Sequence, residues 1–128
     1  MPWAAPPLPW KLTTIYLKAA QVSANDQFGI SVAVSGDTVV VGAINEDDSA
    51  TGLNGTPNES ASNAGTAWVF TRSGLPQAGV WSQQAYLKAG QVSTGDLFGT
   101  SVAVSGNTIV VGAISEDGSV AGVNGCGE

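Results

Sequence analysis

Side chains able to do chemistry are few in this chain, and they gather in one acidic stretch, Asn45-Glu46-Asp47-Asp48-Ser49-Ala50-Thr51-Gly52. Asn45, Asp47, Ser49 and Thr51 alternate as oxygen bearers, a spacing that a looped segment can converge on a hard cation. Asn45, Asp47 and Ser49 are therefore the candidate metal ligands, with calcium as the candidate ion. Calcium takes about six to eight oxygens, several of them anionic, and the alternating series offers a single carboxylate. A solvated acidic loop is the competing reading. Further along, Ser115, Asp117 and Ser119 repeat the alternation, and Ala121 interrupts it.

Catalysis has little to draw on. The chain has no histidine and a single cysteine, Cys126, so neither a Ser-His nor a Cys-His nucleophile can be assembled. Paired carboxylates can hydrolyse glycosides, but Glu46-Asp47 recurs as Glu116-Asp117, which points to a role in every unit instead of one unique site. No enzymatic activity and no cofactor is expected. A formal charge of −6 with only four lysines and arginines leaves no basic patch for nucleic acid or an anionic membrane surface. No apolar run reaches the length of a membrane-spanning helix, so no membrane insertion is expected. Pro6-Pro7-Leu8-Pro9 fits a polyproline II ligand or an extended lead-in, and Asn58-Glu59-Ser60 is a glycosylation sequon. The N-terminal residues lack the basic and uninterrupted apolar regions of a signal peptide.

The elements that must carry these residues are repeated. Tyr16-Leu17-Lys18-Ala19 returns 70 residues later as Tyr86-Leu87-Lys88-Ala89. The same shift carries Phe28-Gly29 onto Phe98-Gly99, and Val40-Val41-Gly42-Ala43-Ile44 onto Val110-Val111-Gly112-Ala113-Ile114. Between 16–55 and 86–125, 28 of 40 aligned positions are identical, far beyond chance. Trp10 to Tyr16 is a weaker echo of Trp81 to Tyr86.

Within one unit, 30–35 and 38–44 are β-branched runs separated by Gly36-Asp37, the signature of a hairpin with a two-residue loop. Gly106-Asn107 serves the second copy. That loop sets Val34 opposite Val39 and Val104 opposite Ile109. One hairpin face then collects Ile30, Val32, Val34, Val39 and Val41, the other Ser31, Ala33, Ser35, Val40 and Gly42. Neither face is charged, so burial on both sides is expected, the bulky face of one unit against the small face of the next. Residues 65–72 read as a third strand, and 80–88, more polar, as a fourth at the outer edge. Phe28, Phe98, Trp68 and Phe70 read as packing residues. The expected fold is all-β, with antiparallel four-stranded β-propeller blades, about one and a half of them. A β-sandwich is the runner-up.

The Phe-Gly pair, the hydrophobic hairpin and the Gly-Ala at its far end resemble the FG-GAP repeat, which builds integrin-α-like propellers and occurs in tandem in bacterial surface proteins. The resemblance spans roughly 10–125 and looks most like the bacterial long-loop variety. Ile44 and Ile114 stand where the motif has proline. Integrin-type calcium blades carry an Asp-rich loop within the first hairpin; here only Gly36-Asp37 or Gly106-Asn107 stands there, so that site does not transfer. The expected organisation is a Pro-rich lead-in at 1–9, the outer strand of a preceding blade at 10–25, a complete blade at 26–95 and half of the next at 96–128, cut within its loop. The resemblance implies a secreted or cell-surface adhesion or binding protein, with the loop 45–64 as the surface for a protein or glycan ligand. The alternative is a gene fragment with a purely structural role. Further blades of the same protein are the expected neighbours of each unit, and an isolated chain is expected to form oligomers or aggregates.

Overall fold

The computed structural model describes residues 14–20, 23–47, 54, 60–74, 79–89 and 92–116. Every regular element among them is a strand: β1 (Phe28–Ser35), β2 (Thr38–Ala43), β3 (Thr66–Ser73), β4 (Val80–Leu87), β5 (Phe98–Ser105) and β6 (Thr108–Ala113). β1 to β4 form one antiparallel sheet in chain order, with β4 at its edge, and β5 and β6 form a second, two-stranded sheet. The architecture is that of partial propeller blades.

Both hairpins have the register that their turns dictate. Val34 faces Val39 and Val104 faces Ile109. Gly36 and Gly106 turn at φ +55° and +53°, a conformation that costs glycine little. At the other end of each hairpin the Phe-Gly pair makes a bulge. The register steps from Phe28↔Ala43 to Ser31↔Gly42, and from Phe98↔Ala113 to Ser101↔Gly112. Strand pairing thus begins two residues earlier than the β-branched run suggests.

The two sheets stack as the residue sizes require. Val40, Ala67 and Val69 on the small-residue side of the four-stranded sheet pack against Phe98, Val102, Val104, Ile109 and Val111 of the second hairpin. On the opposite side, Val41, Ala43, Trp68, Phe70 and Tyr86 form a second core, with Val39 and Phe28 against it. Phe28 and Phe70 meet edge to face, at 6.2 Å between centroids. Residues 14–19 form no strand; Leu17 and Ala19 pack on this second core, and the Ala20 N–H donates to Gln83 Oε1 at 2.9 Å.

Glycine at the repeat motif follows from this stacking. Gly99 sits at φ +96°, and a Cβ there would fall 2.2 Å from the carbonyl oxygen of Thr66 in the preceding blade. Its own carbonyl accepts a hydrogen bond from Ser31 Oγ at 2.6 Å. A Cβ on Gly42 would fall 2.0 Å from that same carbonyl. The Phe-Gly of one repeat and the Gly-Ala of the repeat before it are therefore two halves of one contact.

Candidate functional site

The acidic stretch begins where β2 ends, and its residues part company at once. Glu46 turns inward. Its Oε2 lies 3.3 Å from Lys88 Nζ and accepts a hydrogen bond of 3.3 Å from the Tyr86 hydroxyl. All three residues are buried. The ladder between β3 and β4 sets Tyr86 opposite Trp68, ring centroids 4.6 Å apart, which fixes where the hydroxyl can reach. A buried ion pair adds little net stability against an apolar replacement, but removing one partner strands a charge. This cluster is invisible in the acidic stretch by itself. The readable signal lies in the repeat, which conserves Glu46 as Glu116 and Lys88 as Lys18 at one spacing.

Asp47, a candidate calcium ligand, is half-buried and faces backbone. Its Oδ1 accepts from the Asn63 N–H at 2.7 Å, and its carbonyl accepts from Ala61 N–H at 2.6 Å. Gly65 N–H donates to the Glu46 carbonyl at 2.9 Å, so 46–47 and 61–65 close the loop at its base. Asn54 adds a third tie: its N–H donates to the Tyr86 carbonyl, and its Oδ1 accepts from Tyr86 N–H, both at 2.8 Å. Asn45 is anchored by its N–H to the Asp26 carbonyl at 3.1 Å. Ser49 and Thr51, with Asp117, Ser119 and Ala121 of the second copy, lie outside the described residues, as do Pro6 to Pro9, Asn58, Glu59 and Cys126. Among the described residues no three His, Cys, Asp or Glu side chains are grouped to hold a metal ion.

Asp26 and Asp96 do the same structural work in the two repeats. Each is buried, and each accepts a backbone N–H through Oδ2 at 2.8 Å, from Ser23 and Ser93 respectively. Burial raises the Asp26 carboxyl above the ordinary aspartate range, opposed by the Ser23 hydrogen bond and reinforced by the charge of Asp47. Asp37, in the hairpin turn where integrin-type blades hold calcium, instead pairs with Arg72, whose Nε donates to its Oδ1 at 2.9 Å. The same guanidinium lies over the Trp81 ring, 5.3 Å from its centroid.

The base of the loop also grips the next repeat. The carbonyls of Ser62, Asn63 and Ala64 accept from the N–H groups of Gly95, Leu97 and Phe98 at 2.9, 3.1 and 2.8 Å. On the side of the sheet that carries Ala43 and Trp68, a cleft of about 170 Å³ opens between Ala19, Asp26, Phe28, Ala43 and Trp68.

The arrangement thus uses its carboxylates to shape turns and loops, joins repeats through backbone carbonyls, and holds the long loop by its base. The family model of the FG-GAP repeat matches residues 14–70 and 81–126. No curated protein and no solved structure matches the chain.

Proposed function

The chain belongs to the FG-GAP repeat family, and from that membership we propose that it is a non-catalytic β-propeller segment of an exported or cell-surface protein that binds a protein or glycan ligand. One observation carries this reading: the loop after β2 is tied at its base and at Asn54 by backbone hydrogen bonds and by backbone N–H groups donating to Asp47 Oδ1 and Asn54 Oδ1. A loop whose ends are anchored on a sheet suits recognition, because binding residues are commonly carried on loops positioned by a rigid scaffold. The non-catalytic part is supported by the duties of the carboxylates. Glu46, Asp47, Asp26, Asp96 and Asp37 each hold a strand end, a turn or a loop.

The test is binding of the immobilised chain to a glycan array and to a panel of extracellular-matrix proteins. A variant with residues 55–59 replaced by Gly and Ser keeps Asp47, Asn54 and Ala61 in place. Saturable binding lost in that variant, with the β-sheet circular dichroism unchanged, is the expected result. Binding that survives the replacement removes the loop from the ligand site. Silence across both panels favours the purely structural role.

A further inference from the structure

The two ends of the stack are complementary surfaces, and the chain carries a worked example of how they fit. At one end β1 presents Ile30, Val32 and Val34, with Val32 and Val34 66% and 67% exposed. Their counterparts Thr100, Val102 and Val104 are partly buried on the preceding blade. At the other end β6 presents Val110, 60% exposed, while its counterpart Val40 is completely buried at the junction of the two sheets. The bulky side of the first hairpin thus lacks what the second hairpin's bulky side already has. The small side of the second hairpin lacks what the first one's already has.

We infer that copies of this chain associate head to tail, the small-residue face of β5–β6 in one copy seating on the bulky face of β1–β2 in another. The contacts that the two hairpins make directly with each other at the internal junction are available again in that pairing. Ser101 stands where Ser31 donates to the Gly99 carbonyl, and Gly29 supplies the equivalent carbonyl from an identical bulge. Gly112 leaves the same room for that carbonyl as Gly42 does. Ser105 stands where Ser35 Oγ accepts from Gly106 N–H, with Gly36 as the matching donor. The partner is therefore specified by shape and by two hydrogen bonds, beyond general stickiness. An interface of this kind is heterologous, so growth continues until the rotation closes a ring or runs on as a filament. The inference is independent of the ligand reading.

The test uses two single variants, each placed on a side chain already in solvent. Val34→Lys blocks the bulky end and leaves the small end intact. Val110→Glu does the reverse. In sedimentation velocity the wild-type chain is expected to gain mass with concentration, each variant alone to remain monomeric, and an equimolar mixture to form a dimer of twice the monomer mass and nothing larger. That dimer forms only if both variants fold and the two surfaces are complementary. A wild-type chain that stays monomeric at high concentration overturns the inference. Assembly of Val110→Glu alone, with Val34→Lys monomeric, indicates a symmetric contact between two bulky faces and overturns it as well. So does a mixture that contains no dimer.

Discussion

Val40 in the first hairpin and Val110 in the second occupy one position of the repeat, yet Val40 is fully buried and Val110 lies largely in solvent. The same inversion runs through the two copies. Gly99 is packed under the Thr66 carbonyl, whereas among the described residues a Cβ added at Gly29 would meet nothing within 4 Å. Glu46 is buried between Lys88 and Tyr86, whereas Glu116 is exposed. Near-identical residues in near-identical backbone have different environments because the environment comes from outside the hairpin. It comes from the other repeat around Val40 and Gly99, and from Tyr86 and Lys88 at the end of β4 in its own sheet around Glu46. Stability in such a stack resides in the junctions as much as in the units.

The largest expected difference between the copies is at the buried ion pair. Lys88→Met leaves the Glu46 carboxylate buried with the Tyr86 hydroxyl and without its cation, a change that costs about 3–5 kcal/mol. Glu116→Gln, at the exposed counterpart, is expected to stay within about 0.5 kcal/mol of the parent. Urea denaturation followed by circular dichroism measures both. Equal effects at the two sites would mean that the second copy has its own buried partner for the acid.

The next comparison isolates the junction from backbone strain. Gly29 and Gly99 share a positive φ, so alanine strains the backbone equally at both. Only at Gly99 does the new Cβ also run into a neighbouring carbonyl. Gly99→Ala is therefore expected to exceed Gly29→Ala by about 1–3 kcal/mol, the usual range for overpacking a tight contact. If the two variants lose the same stability, the stacking of β5–β6 on the first sheet is not closely packed in solution.

Much of this arrangement is legible in the residues themselves. The Gly-Asp and Gly-Asn turns fix register, and a hairpin with one bulky and one small face implies the stacking that Val40 and Val102 realise. What the chain order hides is long-range polar pairing. Glu46 and Lys88 are 42 residues apart, and nothing local to an acidic stretch distinguishes a carboxylate turned inward from one turned to solvent. For the same reason Asp47 reads as a candidate cation ligand, although its carboxylate accepts a backbone N–H from Asn63. The early start of β1 is also hidden, because a bulge places Gly29 inside a strand that a simple alternation begins after it.

The smallest effect concerns Asp26, at the open end of the stack, and its sign can be worked out beforehand. Burial and the charge of Asp47 raise its folded-state pKa above the unfolded one, despite the Ser23 hydrogen bond. Between those two values the folded chain binds more protons than the unfolded chain, so stability falls as pH rises through the window. The resulting penalty is present at neutral pH and is relieved in acid, where both states are protonated. Asp26→Asn keeps an oxygen to accept the Ser23 N–H and removes the buried charge. The variant is therefore expected to be slightly more stable than the parent at pH 7, with the gap closing as pH falls toward 3. The difference in urea midpoint between the two proteins reports Asp26 together with its coupling to Asp47. Asp47→Asn, which retains an acceptor for Asn63 N–H, should narrow the gap at pH 7 by removing the neighbouring charge. A parent more stable than Asp26→Asn at pH 7 would show that the hydrogen bond to Ser23 outweighs the burial of the charge.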